Sequence, residues 1–195
     1  MEPTDILEEL RAARCGLAEQ SAPSVAGVYA IFSRAQCALP GVTLTGGDVV
    51  YIGSSSNLAQ RSIGTHFATG QSGFSTLRRS IGALLRDQLD LVPRPRGAGS
   101  SDSNFRHYRF DDAGEDKLTS WMIRNFDASV YPVPDPGRVE RALIAIASPP
   151  MNLRHWANPD ATMMRAARKA CVDHARSGVY PSQLGGDARP ERRGG

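Results

Sequence analysis

The run Asp48-Val49-Val50-Tyr51-Ile52-Gly53-Ser54-Ser55-Ser56-Asn57 decides the fold of this chain. Its first six residues are β-branched and aromatic and predict a strand. The serines and the asparagine that follow are helix N-cap residues, so a helix is predicted from Leu58 to about Phe67. Its first N–H groups, beside the strand end, are a natural place for a phosphate. Upstream, Gly27-Val28-Tyr29-Ala30-Ile31-Phe32 carries the same strand signal, and Pro40-Gly41 and Gly46-Gly47 mark the loop between the two. Two strands joined by a loop predict an antiparallel pair, with Tyr29 on one strand and Tyr51 on the other.

Outward from that pair, apolar residues at Ile6, Leu7, Leu10, Ala13 and Leu17 predict an amphipathic helix over residues 5–20. Ser75 to Leu89 reads as a second amphipathic helix, with Leu77, Ile81, Leu84, Leu85 and Leu89 inward and Arg78, Arg79 and Arg86 on the other side. Pro93 to Ser103 is a loop, Asn104 to Phe110 alternates as a short strand, Leu118 to Phe126 is helical and Ala128 to Val133 strand-like. A helix follows from Val139, its buried face predicted at Val139, Ala142, Leu143 and Ile146, and Pro149-Pro150 stops it. Ala161 to Arg176 is the last helix, with Arg165, Arg168, Lys169 and Arg176 as its basic residues. The pattern predicts an α/β (α+β) domain built on a small, mostly antiparallel three-stranded sheet flanked by helices. Its organisation is an N-terminal helical extension over 1–22, the main domain over 23–156, a C-terminal helical extension over 157–184, and a disordered tail over 185–195.

At 195 residues, 41% hydrophobic and 22% charged, the chain has the size and composition of one globular domain with a proper core. No stretch approaches the roughly 18 apolar residues of a membrane span. The N-terminus lacks the basic start and apolar run of a signal peptide, which predicts a cytoplasmic protein. Cys15, Cys37 and Cys171 stand far apart, which argues against a disulfide framework or structural zinc. Net charge is only +3, but between Arg61 and Arg109 eight arginines face three aspartates. Arginine's planar fork suits phosphate oxygens, so nucleic acid is a reasonable partner; a genome rich in arginine codons would give the same bias. There is no phosphate-binding Gly-x-x-x-x-Gly-Lys loop, no dinucleotide fingerprint and no cluster of paired carboxylates for a two-metal site. His107, His155 and His174 are isolated and read as ordinary histidines.

Glu140 is the carboxylate of interest. One position off the predicted buried face, it reads either as a solvated glutamate favoured by the helix dipole or as a half-desolvated ligand that needs a cation.

Gly27-Val28-Tyr29, Tyr51-Ile52-Gly53, Asn57 with Arg61, His66, Glu140 and Asn152, in that order, resemble the GIY-YIG nuclease family. Val28 stands where the family name has isoleucine, a conservative change on a strand. His66 follows Arg61 by five residues instead of the commoner four, which on a continuous helix turns the ring by about 100°. Ser75-Thr76-Leu77-Arg78-Arg79-Ser80 and Leu118-Thr119-Ser120-Trp121-Met122 resemble a bacterial stand-alone branch of that family.

The resemblance implies a metal-dependent DNA endonuclease with Tyr29, Tyr51, Arg61, His66, Glu140 and Asn152 as its site. Glu140 would hold one Mg²⁺ or Mn²⁺ largely through waters. Arg61 would clamp the scissile phosphate, and the first tyrosine would help deprotonate the attacking water. Asn152 reads as a residue capping backbone after Pro149-Pro150 and holding the site's geometry. Arg78, Arg79 and Arg86 are candidate contacts to the nucleic-acid backbone. Two other readings keep the fold: a nucleic-acid-binding module that cleaves nothing, and a nicking or repair subunit targeted by a protein partner.

Overall fold

The computed structural model of the chain describes residues 2–17, 19–34, 37–44, 47–61 and 64–178, with the side chains of residues 60, 61, 64 and 65 excepted. The elements are α1 (Pro3–Ala12), β1 (Cys15–Gly16), β2 (Gly27–Ser33), β3 (Val49–Ser55), α2 (Leu58–Arg61), α3 (Gly64–Phe67) and α4 (Thr76–Leu84). Then come β4 (Pro93–Arg94), α5 (Asp102–Arg106), β5 (Arg109–Phe110), α6 (Asp112–Asn125), β6 (Phe126–Pro132), α7 (Pro136–Ala147) and α8 (Ala161–Ser177).

The α+β class is as the sequence predicts, and β2 and β3 pair antiparallel, with Tyr29 opposite Gly53 and Tyr51 opposite Ile31. The sheet has four strands rather than three, in the order β1-β6-β2-β3. The extra one arises because the first helix ends at Ala12 instead of running to residue 20, and Cys15 and Gly16 pair with Ala128 and Asp127 of β6. β1 and β3 are the edge strands, and the candidate site lies at the β3 edge.

Side chains alternate across a strand, and the two faces of β2 bury into two cores. Val28, Ala30 and Phe32 pack with Ile6, Leu7 and Leu10 of α1 and with Leu143, Ile144 and Ala147 of α7. Tyr29 and Ile31 pack on the other side with α2, α4, α6 and α8, through residues such as Leu58, Ile81, Leu118 and Met164. Tyr29, Ile31, Gly53 and Tyr51 therefore share one face. Gly53 is required there, because a Cβ on it would come within 2.3 Å of the Tyr29 ring. Gly27 is required for a different reason: its Cβ would meet the Tyr131 carbonyl oxygen at 2.4 Å and Leu58 at 2.6 Å.

Other departures have local causes. Residues 104–110 form not one strand but the end of α5 and then β5, because Ser101 accepts from the Asn104 amide and Asp102 pairs with Arg106 one turn on. Of the helix expected over 58–67, Leu58–Arg61 and Gly64–Phe67 are helical as α2 and α3, and residues 62–63 lie outside the described residues. The buried stripe of α7 is Leu143, Ile144 and Ala147, while Ile146 is 46% exposed. That turns the predicted face by one position and puts Glu140 on the stripe itself, three, four and seven residues before its members. The tail predicted from residue 185 lies outside the described residues.

The largest correction concerns α4. Its arginines were expected on a solvent face, yet Arg78 is 0% exposed and pairs with Glu115 of α6 at 2.7 Å. Both Glu115 oxygens are engaged: Oε2 accepts from Arg78 Nη2 and from Ser72 Oγ, and Oε1 accepts from the Phe110 amide. Arg78 also donates to the His66 carbonyl, Ser72 Oγ and Thr119 Oγ1. Burial lowers the Arg78 pKa, and Glu115 opposes that shift. Removing one partner of such a pair leaves an uncompensated buried charge, which costs about 3–5 kcal/mol. Glu115→Ala is therefore expected to lower unfolding free energy in urea by that amount, whereas Arg78→Met with Glu115→Leu loses far less. A Glu115→Ala protein within about 1 kcal/mol of wild type would contradict this account of the pair.

Candidate active site

Three rings converge on the face of the sheet opposite α7. The Tyr29 and Tyr51 centroids lie 6.1 Å apart, and His66 lies 5.5 Å from the first and 5.8 Å from the second. Tyr29 Oη and His66 Nε2 are 2.7 Å apart. The second nitrogen, Nδ1, is 2.7 Å from Ser75 Oγ, which also caps α4 by accepting from the Arg78 amide. Both ring nitrogens are thus engaged, and the backbone carbonyl of the same residue accepts from the buried Arg78. The fifth-residue spacing of His66 does not turn it away from the site, because α3 carries the ring onto the tyrosines.

Tyr29 and His66 are nearly buried, and Tyr51, partly exposed, links this cluster to an open cleft of about 670 Å³ along the β3 edge. Glu140 lines the same cleft. It reaches it from α7, which packs on the other face of the sheet, and its Oε2 accepts from Ser54 Oγ at 2.6 Å. Ser54 lies opposite Val28, on the α7 side of the edge strand. Asp135 starts α7 by accepting from the Arg138 amide, and Pro136 takes the first helical position, so the turn that carries Glu140 is fixed locally.

Asn152 closes the edge. Its Oδ1 accepts from the Ile52 amide at 2.9 Å and its Nδ2 donates to the Ile52 carbonyl at 2.8 Å, as a neighbouring strand would. Met151 adds a backbone bond to the Val50 carbonyl. Asn152 caps backbone as predicted, but the backbone is that of β3 rather than of its own turn, and its role is to position the edge beside Tyr51.

The remaining predicted residues divide. Arg61 ends α2, and its side chain lies outside what the structure describes. At the start of α2 the Leu58 and Ala59 amides donate to the Val25 and Pro23 carbonyls, so these two N–H groups are not available to a phosphate. Arg78 is sealed in its ion pair and reaches no ligand. Arg86 is partly buried between Asp87 and Cys171 of α8. Arg79 alone of the three lines the cleft.

Sequence reasoning missed the supports: Ser54 for Glu140, Ser75 for His66, and the Ser72–Glu115–Arg78 group behind them. Only Ser75 left a signal, as a capping residue ahead of an amphipathic stretch. It also left Arg154, His155, Arg165 and Arg168 outside the site, although all four line the cleft.

Glu140 is the one carboxylate lining the cleft among the described residues, and no group of three or more His, Cys, Asp or Glu side chains gathers among them. Such a donor set does not suit a caged transition metal. It does suit a hard divalent ion that keeps most of its water. Among the described residues no helix is long and apolar enough to cross a membrane.

Comparisons with curated proteins and with solved structures found no match. The family model described as the GIY-YIG catalytic domain matches residues 27–171, from the start of β2 to Cys171 within α8. With a match over most of its length, this chain belongs to the GIY-YIG catalytic domain family, and its function in general terms is that of a nuclease.

Proposed function

We propose that the protein is a DNA endonuclease that hydrolyses phosphodiester bonds with one divalent ion, Mg²⁺ or Mn²⁺, held by Glu140. The observation that carries this reading is the meeting of a buried Tyr29–His66 contact, Tyr51 and a single carboxylate at one sheet edge. A phosphodiester needs an in-line nucleophile, neutralisation of charge on its non-bridging oxygens, and help for the departing 3′-oxygen. Glu140 would hold the ion, which when bound would supply charge neutralisation.

The chain's own residues do the rest. Ser54 holds Glu140 by one carboxylate oxygen, which fixes the direction of the other relative to the cleft. Tyr29 Oη takes a proton from the attacking water as its own proton passes to His66 Nε2, in the tautomer whose Nδ1–H donates to Ser75 Oγ. The water's O–H bond breaks as its oxygen bonds to phosphorus, and the bond to the 3′-oxygen breaks on the opposite side. Tyr51 bounds the cleft and holds the face of the ring cluster toward it. Arg61, one turn into the helix after β3, clamps the scissile phosphate.

Incubation with supercoiled plasmid tests this directly. Wild type is expected to cut in Mg²⁺ or Mn²⁺ and to be inert in chelator. Glu140→Ala should abolish cleavage and leave DNA binding nearly intact, since it removes the ion's anchor and no group that holds a phosphate. Cutting by wild type in chelator, or by Glu140→Ala at the wild-type rate in Mg²⁺, would remove the ion from the account.

A further inference from the structure

Arg79 is a buried cation that no anion meets among the described residues. It is 4% exposed, its Nη atoms donate to the Ser72 and Gly73 carbonyls and to Thr76 Oγ1, and its Nε has no partner among those residues. Burial first, and then the neighbouring Arg168, draw its pKa down to about 10, so it is still charged at neutral pH. A guanidinium taken out of water without a carboxylate is costly unless a negative group meets it. Arg165 and Arg168, on α8, line the same cleft as Arg79 and Glu140. Among the described residues neither of them, nor Arg79, lies within ion-pair distance of a carboxylate. The other basic residues of this helix differ: Lys169 pairs with Asp173, and Arg176 with Asp102.

Beyond Arg165 and Arg168 the groove continues. A second hollow, between α5 and α8, shares these two arginines and is lined further along by Arg106, Lys169, Asp173 and Arg176. The basic surface therefore begins beside Glu140 and runs outward along α8, with Asp173, the partner of Lys169, as the acid in its second half.

We infer that Arg79, Arg165 and Arg168 form a seat for a backbone phosphate of duplex DNA other than the scissile one, and that α8 guides the strand away from the cleft. This rests on the nuclease reading for the identity of the polyanion. The geometry of the seat is separate from the chemistry at Tyr29 and Glu140. The role expected of the α4 arginines falls in part to α8: α4 contributes Arg79 and packs beneath, and the helix beyond it presents the exposed charge.

The test is binding of a fluorescently labelled DNA duplex in chelator, by anisotropy, over a series of salt concentrations. Arg165 is exposed and Arg168 partly so, and the double change Arg165→Ala with Arg168→Ala leaves the buried Arg79 in place. It should weaken affinity about tenfold or more. It should also flatten the plot of log affinity against log salt by about 0.9 for each phosphate that is no longer neutralised. Arg11→Ala with Arg14→Ala removes the same charge from residues that pair with Asp48, and its slope should stay near that of wild type. Equal losses in the two double variants would overturn the seat, since general charge would then explain both; so would a wild type with no affinity for the duplex. If wild type binds with the expected slope difference but cuts no plasmid in Mg²⁺ or Mn²⁺, the seat is supported and the nuclease reading fails.

Discussion

The ring of Tyr29 lies across Gly53, and that contact sets the geometry of everything around it. A Cβ at Gly53 would sit 2.3 Å from the ring, so the β2–β3 register can hold only glycine there while the tyrosine keeps its place. From that place the hydroxyl meets His66 Nε2, and Tyr51, two residues before the glycine on the same face, packs against both rings. The two halves of the strand signal are thus parts of one packing solution. Gly53 provides space, Tyr29 fills it, and Tyr51 connects it to the cleft.

The second wall is electrostatic. Arg78 and Glu115 are both sealed from solvent, and their worth lies less in net stability than in what they tie together. Through Ser72, Thr119, the Phe110 amide and the His66 carbonyl they join α3, α4 and α6 behind the histidine. A strand pair can place two tyrosines by register alone, whereas the histidine is placed by bonds from outside its own helix. Ser75 completes that support by capping α4 and meeting His66 Nδ1 with one oxygen.

Much of the fold was legible because β2, β3, β6, α7 and α8 carry strong local patterns bounded by glycine, proline or capping residues. Of the candidate site residues, Tyr51, Glu140 and Asn152 line one cleft and Tyr29 packs against Tyr51, and each sits on one of those elements or just beyond it. What was not legible was long-range. Arg78 resembles any exposed helix charge until Glu115, thirty-seven residues away, is brought against it. The fourth strand is two residues long and exists only through its ladder to β6. The one-position error in the α7 face arose because Ile146 has the hydrophobicity of a core residue but stands exposed, while Ala147 is small and buried. The spacing of His66 from Arg61 pointed its ring elsewhere, yet the ring meets Tyr29 and Tyr51. In the last helix, the charges were visible and their pairing was not: only the fold distinguishes Lys169 and Arg176, which meet aspartates, from Arg165 and Arg168.

The central claim is that Tyr29 and His66 accept the nucleophile's proton as one unit. The most direct measurement is a double-mutant cycle on the single-turnover rate of plasmid cleavage in Mg²⁺, using Tyr29→Phe, His66→Ala and the two combined. If the hydroxyl and the imidazole share one proton path, removing either should lose about the same factor, on the order of 10² to 10⁴, and removing both should cost little more than the worse single change. Losses that multiply in the combined variant, or a Tyr29→Phe protein that cuts at the wild-type rate, would contradict it.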